Sequence, residues 1–154
     1  MQNKQSAQVS PRLTVGTMLV AIAVVHQVVG VAIGVGLDPS TKFPGAPPLI
    51  AMAREGIIAS VGTSDPWRGA ITWFLLWGFV FALVGLLAHQ VERAGGVLSR
   101  AFALSLAALC LLGVALMPVS GFWLGFGPAY LALRRAGGAA RHNRALRSPT
   151  GHAS

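Results

Sequence analysis

The sequence predicts an all-α polytopic membrane protein, with four transmembrane helices in an antiparallel bundle and a short amphipathic interfacial helix between the first and second spans. Three observations lead there. Of 154 residues, 54% are hydrophobic and only 10% charged. Soluble domains carry about 25% charged residues, so polar surface for a water-facing exterior is lacking. The apolar residues form long uncharged runs, of which Leu13 to Leu37 exceeds the ~20 residues needed to cross a ~30 Å hydrocarbon core. The net charge of +8 gathers at the two ends rather than over a surface.

Residues 1–12 are polar and form an N-terminal cytoplasmic segment; the transmembrane domain covers 13–135. The first span, about 13–37, is read as an uncleaved helix. A signal peptide would have a shorter apolar region, closed by a small-x-small cleavage site. His26, Gly30 and Gly34 recur every fourth residue and share one face. Residues 38–48 hold Pro39, Pro44, Pro47 and Pro48, which remove backbone donors and exclude a helix. Over about 49–61, Leu49, Ile50, Ala53, Ile57, Ile58 and Val61 fall opposite Arg54 and Glu55. That stretch is too short to span and reads as an interfacial amphipathic helix.

Ser64-Asp65-Pro66 supplies a cap and a first-turn proline for the second span, about 67–90. Trp67 marks its interfacial end. Gly78, Ala82 and Gly85 form a strip of small residues on one face, allowing close backbone approach. Gly95-Gly96 turns the chain into the third span, about 97–118, which carries Ser105 and Cys110. The fourth span, about 120–135, is short. Gly121 and Gly125 are spaced for packing, Pro128 is expected to kink the helix, and Arg134-Arg135 to stop it. Residues 136–154, rich in Gly, Ala, Arg and Ser, read as a disordered basic tail.

Orientation follows the distribution of Lys and Arg. Lys4 and Arg12 lead in, Arg93 and Arg100 flank the second loop, and Arg134, Arg135, Arg141, Arg144 and Arg147 close the chain. Only Lys42, Arg54 and Arg68 lie in the long first loop. Both termini are therefore placed in the cytoplasm. Arg134, Arg135 and Arg141 are candidate ligands for anionic lipid headgroups. The basic ends lack interleaved aromatics, so no nucleic acid partner is read from them; the partners expected are the bilayer and a second copy or another membrane protein.

His26 stands at mid-membrane depth, where polar residues are costly and face the bundle interior. His26, Gln27, Trp73, Trp77, Cys110 and Trp123 fall at similar depth and form a candidate pocket for a hydrophobic small molecule such as a quinone or lipid. His26 and His89 do not make a haem site: helical rise separates them by about 15–18 Å along the membrane normal. No cofactor and no metal cluster is implied. No Asp or Glu lies within a span, which disfavours a proton-coupled transporter.

The run of His26, Gly30 and Gly34, the segment Arg54 to Gly56, Trp67-Arg68 leading into Trp73-Phe74, and the block Met117 to Trp123 together resemble a family of small bacterial four-helix integral membrane proteins, a domain of unknown function. The resemblance covers about 13–135. It implies the bacterial cytoplasmic membrane and the four-helix architecture, and carries over no catalytic residue. The leading expectation is a non-enzymatic accessory or oligomer-forming bundle. A binder or enzyme for a hydrophobic molecule around His26 comes second, and a transporter or channel subunit third.

Overall fold

Capping chemistry sets where the helices begin and end. A computed structural model describes residues 13–56, 64–116, 118 and 121–147, with the backbone alone for residues 141–147. The helices are α1 (Val15–Gly34), α2 (Pro48–Glu55), α3 (Pro66–Arg93), α4 (Arg100–Leu116), a 3₁₀ segment (Gly121–Gly125) and α5 (Phe126–Arg147). There is no strand among the described residues. The Thr14 hydroxyl accepts from the Thr17 amide at the start of α1. The Asp65 carboxylate accepts from the Trp67 amide at 2.9 Å, with Pro66 in the first turn of α3. α1 and α3 close in one way. Gly36 and Gly95 take φ of +79° and +77°, and the three amides beyond each helix bond back to its last turn. This left-handed cap favours glycine because it has no β-carbon.

α1 and α3 are long and apolar enough to cross a membrane, and only 22% of each apolar window is buried within the protein. A core helix of a soluble protein would be mostly buried. α4, at 17 residues, is shorter.

The main contact is the antiparallel pair of α1 and α3. Gly16 faces His89, Val20 faces Gly85, Gln27 faces Gly78, Gly30 faces Leu75, and Gly34 faces Ile71. The residue numbers of each pair add to one total, so the register does not slip. On α3 the buried set Ile71, Gly78, Phe81, Gly85 and Ala88 follows the seven-residue repeat of a coiled coil. Glycines at those positions let two backbones approach, which is how helices associate where no hydrophobic force drives them.

α1 also touches α5, and α5 packs on α4. Yet no Cα of α3 lies within 8 Å of one in α4, although the two helices are consecutive. α3 and α4 are therefore held together through α1, α5 and the 3₁₀ segment rather than by direct backbone approach. Val15, Leu19 and Ala23 of α1, Phe81 and Ala88 of α3, Leu106 and Cys110 of α4, and Ala129 and Ala132 of α5 share one core. Phe122 packs against it from the 3₁₀ segment.

Three features differ from the sequence reading. α2 ends at Glu55, and residues 57–61 of the expected amphipathic helix lie outside those described. It is also packed rather than merely interfacial: Ala51 and Met52 are buried, and Leu49 sits against Gly34. α5 continues past Arg135 to Arg147, because Ala and Arg are strong helix formers and outweigh Gly137 and Gly138. Pro128 does not kink the middle of a helix. It lies in the first turn of α5, where its missing amide leaves no bond unmade, and the backbone changes from 3₁₀ to α two residues earlier, at Phe126. The N-terminal segment 1–12, Met117, Val119, Ser120 and the tail beyond Arg147 lie outside the described residues.

Candidate binding cavity

Where α3 and α4 part, a cavity of about 270 Å³ opens. Trp73 and Trp77 wall it from α3, Leu112 and Leu116 from α4, Phe122 from the 3₁₀ segment, and His26 from α1. His26 is the one titratable group among its described lining residues.

The His26 ring is held in two ways. Nε2 donates to the Phe74 carbonyl oxygen at 2.9 Å. The ring also stacks on Phe74, with centroids 3.7 Å apart and planes 8° from parallel. A carbonyl within a helix already accepts one amide and has a second lone pair for this bond. Trp77 and Phe122 meet edge to face at 6.1 Å, and Phe122 touches Phe81 at 5.8 Å. Phe122 thus separates the open part of the bundle from the core. Its ring fits there because Gly113 offers no side chain: a β-carbon on Gly113 would overlap it.

Of the six residues proposed for the pocket, His26, Trp73 and Trp77 line the cavity. Gln27 turns the other way, onto Gly78 in the α1–α3 seam, because consecutive helical residues point about 100° apart. Cys110 is fully buried in the core, where Gly125 makes room for its sulfur. Trp123 is 58% exposed and donates its indole N–H to the Pro118 carbonyl at 2.9 Å. A 3₁₀ helix turns about 120° per residue, so Phe122 and Trp123 cannot both face inward. Depth was readable from the sequence, whereas azimuth was not. α2 contributes no residue to the lining of this cavity.

Among the packing residues, Gly30, Gly34, Gly78 and Gly85 are buried in the α1–α3 seam, and Ala82 packs against the core. Gly125 lies against Cys110, and Gly121 beside His26. Among the described residues no three of His, Cys, Asp and Glu gather as a metal site.

Two ion-pair clusters escaped the sequence reading. Glu92 accepts from the Val15 and Gly16 amides at 3.1 and 2.9 Å and from Arg135 at 2.7 Å; its side chain is 9% exposed. Arg135 also donates to the Leu13 carbonyl at 2.8 Å. Arg135 is therefore engaged within the protein rather than free for a lipid headgroup, while Arg134 is exposed. The signal was present: Glu92 sits in the last turn of its own helix, the wrong pole for an acid. The N-terminus of α1 supplies the opposite pole. At the other end, Arg68 pairs with Glu55 through both terminal nitrogens and lies 3.1 Å from Asp65. The Arg68 guanidinium, bonded to Glu55, holds that carboxyl below its usual range.

A family model matches residues 10–138, that of a family of unknown function (DUF6463). The chain belongs to this family. The match begins before α1 and ends within α5, so all residues lining the cavity are DUF6463 residues. No curated protein and no solved structure matches the chain.

Proposed function

We propose that this DUF6463 chain is a four-span protein of the bacterial cytoplasmic membrane, with both termini in the cytoplasm, and that it binds a hydrophobic small molecule between α3 and α4. The cavity carries this reading. Ligand sites are mostly apolar, with a few placed polar groups, and here aromatic and aliphatic walls surround one histidine. A bilayer also accounts for the parted helices. Apolar walls that face lipid gain nothing from closing, whereas in water they would collapse.

Four spans are supported by length and charge. The 17 residues of α4 extend about 25 Å. The 3₁₀ segment and the start of α5 run apolar until Arg134. The binding reading gains over the oligomer-forming one for a specific reason. Gly30, Gly34, Gly78 and Gly85 are occupied by contacts within one chain, so they offer no seam to a second copy.

The test is a native mass spectrum of protein released from mild detergent. A reproducible added mass of a few hundred daltons, lost in Trp77→Ala and kept in Trp123→Ala, is expected. Bare chains or whole multiples of the chain mass would argue for the structural bundle instead.

A further inference from the structure

The His26 ring is oriented by its partners, and that orientation specifies what it can bind. A backbone carbonyl only accepts, so the Nε2 that sits 2.9 Å from the Phe74 oxygen carries the ring hydrogen. In the neutral ring the other nitrogen, Nδ1, is then a bare acceptor. Flipping the ring would break the Nε2 bond, and the stack on Phe74 resists intermediate angles.

Nδ1 makes no hydrogen bond with a described residue, and the half-buried His26 ring forms part of the cavity wall. Space beside it is kept by Gly121, where even a β-carbon would stand 4.0 Å from Nδ1. The lining is thus aromatic and aliphatic; its side-chain acceptor is His26 Nδ1, and its side-chain donors not already bonded within the described residues are the indole N–H groups of Trp73 and Trp77.

We propose that the cavity selects a flat ring compound bearing a hydroxyl, of the phenol or hydroquinone class, whose O–H donates to His26 Nδ1. This rests on the reading of the cavity as a small-molecule site and names the ligand class. A ring carbonyl placed at Nδ1 brings a second acceptor to it, so that this contact forms no hydrogen bond and carries a cost. Of a quinone and its hydroquinone, the reduced form is therefore the one held.

The probes are 6-fluoro-2-naphthol and its methyl ether, which share a ring and differ in the donor. Binding to the full-length protein in lipid nanodiscs is followed by fluorine NMR. Wild type is expected to hold the naphthol about five- to tenfold more tightly than the ether, the worth of one neutral hydrogen bond in an apolar site. His26→Phe keeps the stack and removes the acceptor, and should bind both probes equally. Gly121→Val leaves the Phe74 bond intact and fills the space beside Nδ1; it should also abolish the preference, and it serves if His26→Phe does not fold. Equal binding of both probes by wild type, lost for both in Trp77→Ala, would overturn the donor selectivity and leave the cavity reading standing. A preference that survives in His26→Phe or Gly121→Val would overturn it too. Binding of neither probe to wild type would sink both readings.

Discussion

Gly16→Ala should unseat one end of the bundle. Gly16 lies against the backbone of His89, and an added β-carbon would overlap the His89 amide nitrogen and Cα. Backbone atoms cannot rotate aside, so α1 has to move outward. Overpacking of this kind costs about 1–3 kcal/mol. The movement also draws the Val15 and Gly16 amides away from Glu92, which they meet at 3.1 and 2.9 Å. Weakening such charge-assisted bonds adds about 1–2 kcal/mol. Alanine returns about 1 kcal/mol through helix propensity. The net destabilisation is about 1–4 kcal/mol, combining these three effects. Gly69→Ala is the control: no atom lies within 4 Å of its added carbon, so propensity alone acts and the variant should gain up to about 1 kcal/mol. At about 2–4 °C per kcal/mol for a chain of this size, the two variants should melt roughly 2–20 °C apart, with Gly16→Ala the lower. Circular dichroism during thermal unfolding in mild detergent reads the difference. A Gly16→Ala protein as stable as wild type, or a pair of variants that shift alike, would refute the close-packed register.

Other consequences are as direct. Glu92→Ala removes an acceptor from two α1 amides and from Arg135, and should destabilise by about 1–3 kcal/mol, with Glu92→Gln losing less; denaturant titration ranks them, and an equal loss would deny the charge a role. The Ser40 hydroxyl and amide hold the Asp38 carboxyl below its usual 3.8. Stability from this folded-state bonding is present above the unfolded value and disappears as pH falls through the lowered one. The Ser40 amide resonance should accordingly titrate with a midpoint below 3.8, and a midpoint at or above it would contradict the turn. Cys110 is fully buried, so N-ethylmaleimide should modify it only after unfolding; rapid labelling of the folded protein would place it elsewhere. In intact cells an impermeant thiol reagent should label Gly45→Cys from outside and Val97→Cys only after permeabilisation, with the reverse pattern inverting the proposed topology.

The all-helical character was legible from composition and from unbroken apolar runs. The glycine cap at Gly95 and the aspartate cap at Asp65 were legible from local chemistry, since turns and caps depend on near neighbours. What was not legible is azimuth. His26 and Gln27 occupy the same depth, but one lines a cavity and the other enters the α1–α3 seam. A difference of one residue decides this, and it depends on where α3 lies. Trp123 and Phe122 repeat the lesson at the 3₁₀ segment: the larger aromatic, chosen for the pocket, points outward while its neighbour fills the gap. The long-range ion pairs show the same limit. Glu92 meets Arg135 and the start of α1 across a separation that charge counting along the chain treats as unrelated.

Saturable photolabelling tests the small-molecule site most directly. Membranes containing the protein are irradiated with a hydrophobic aryl diazirine, with and without excess 6-fluoro-2-naphthol, and labelled residues are mapped by mass spectrometry. Exposed apolar positions outside the cavity such as Val25 and Val28 should label equally in both samples. Trp73, Trp77 and Leu112 should label in the first and be protected in the second. Protection confined to those walls is the expected result. Equal labelling of the cavity walls and the exposed positions in both samples would mean that the space between α3 and α4 holds no specific ligand.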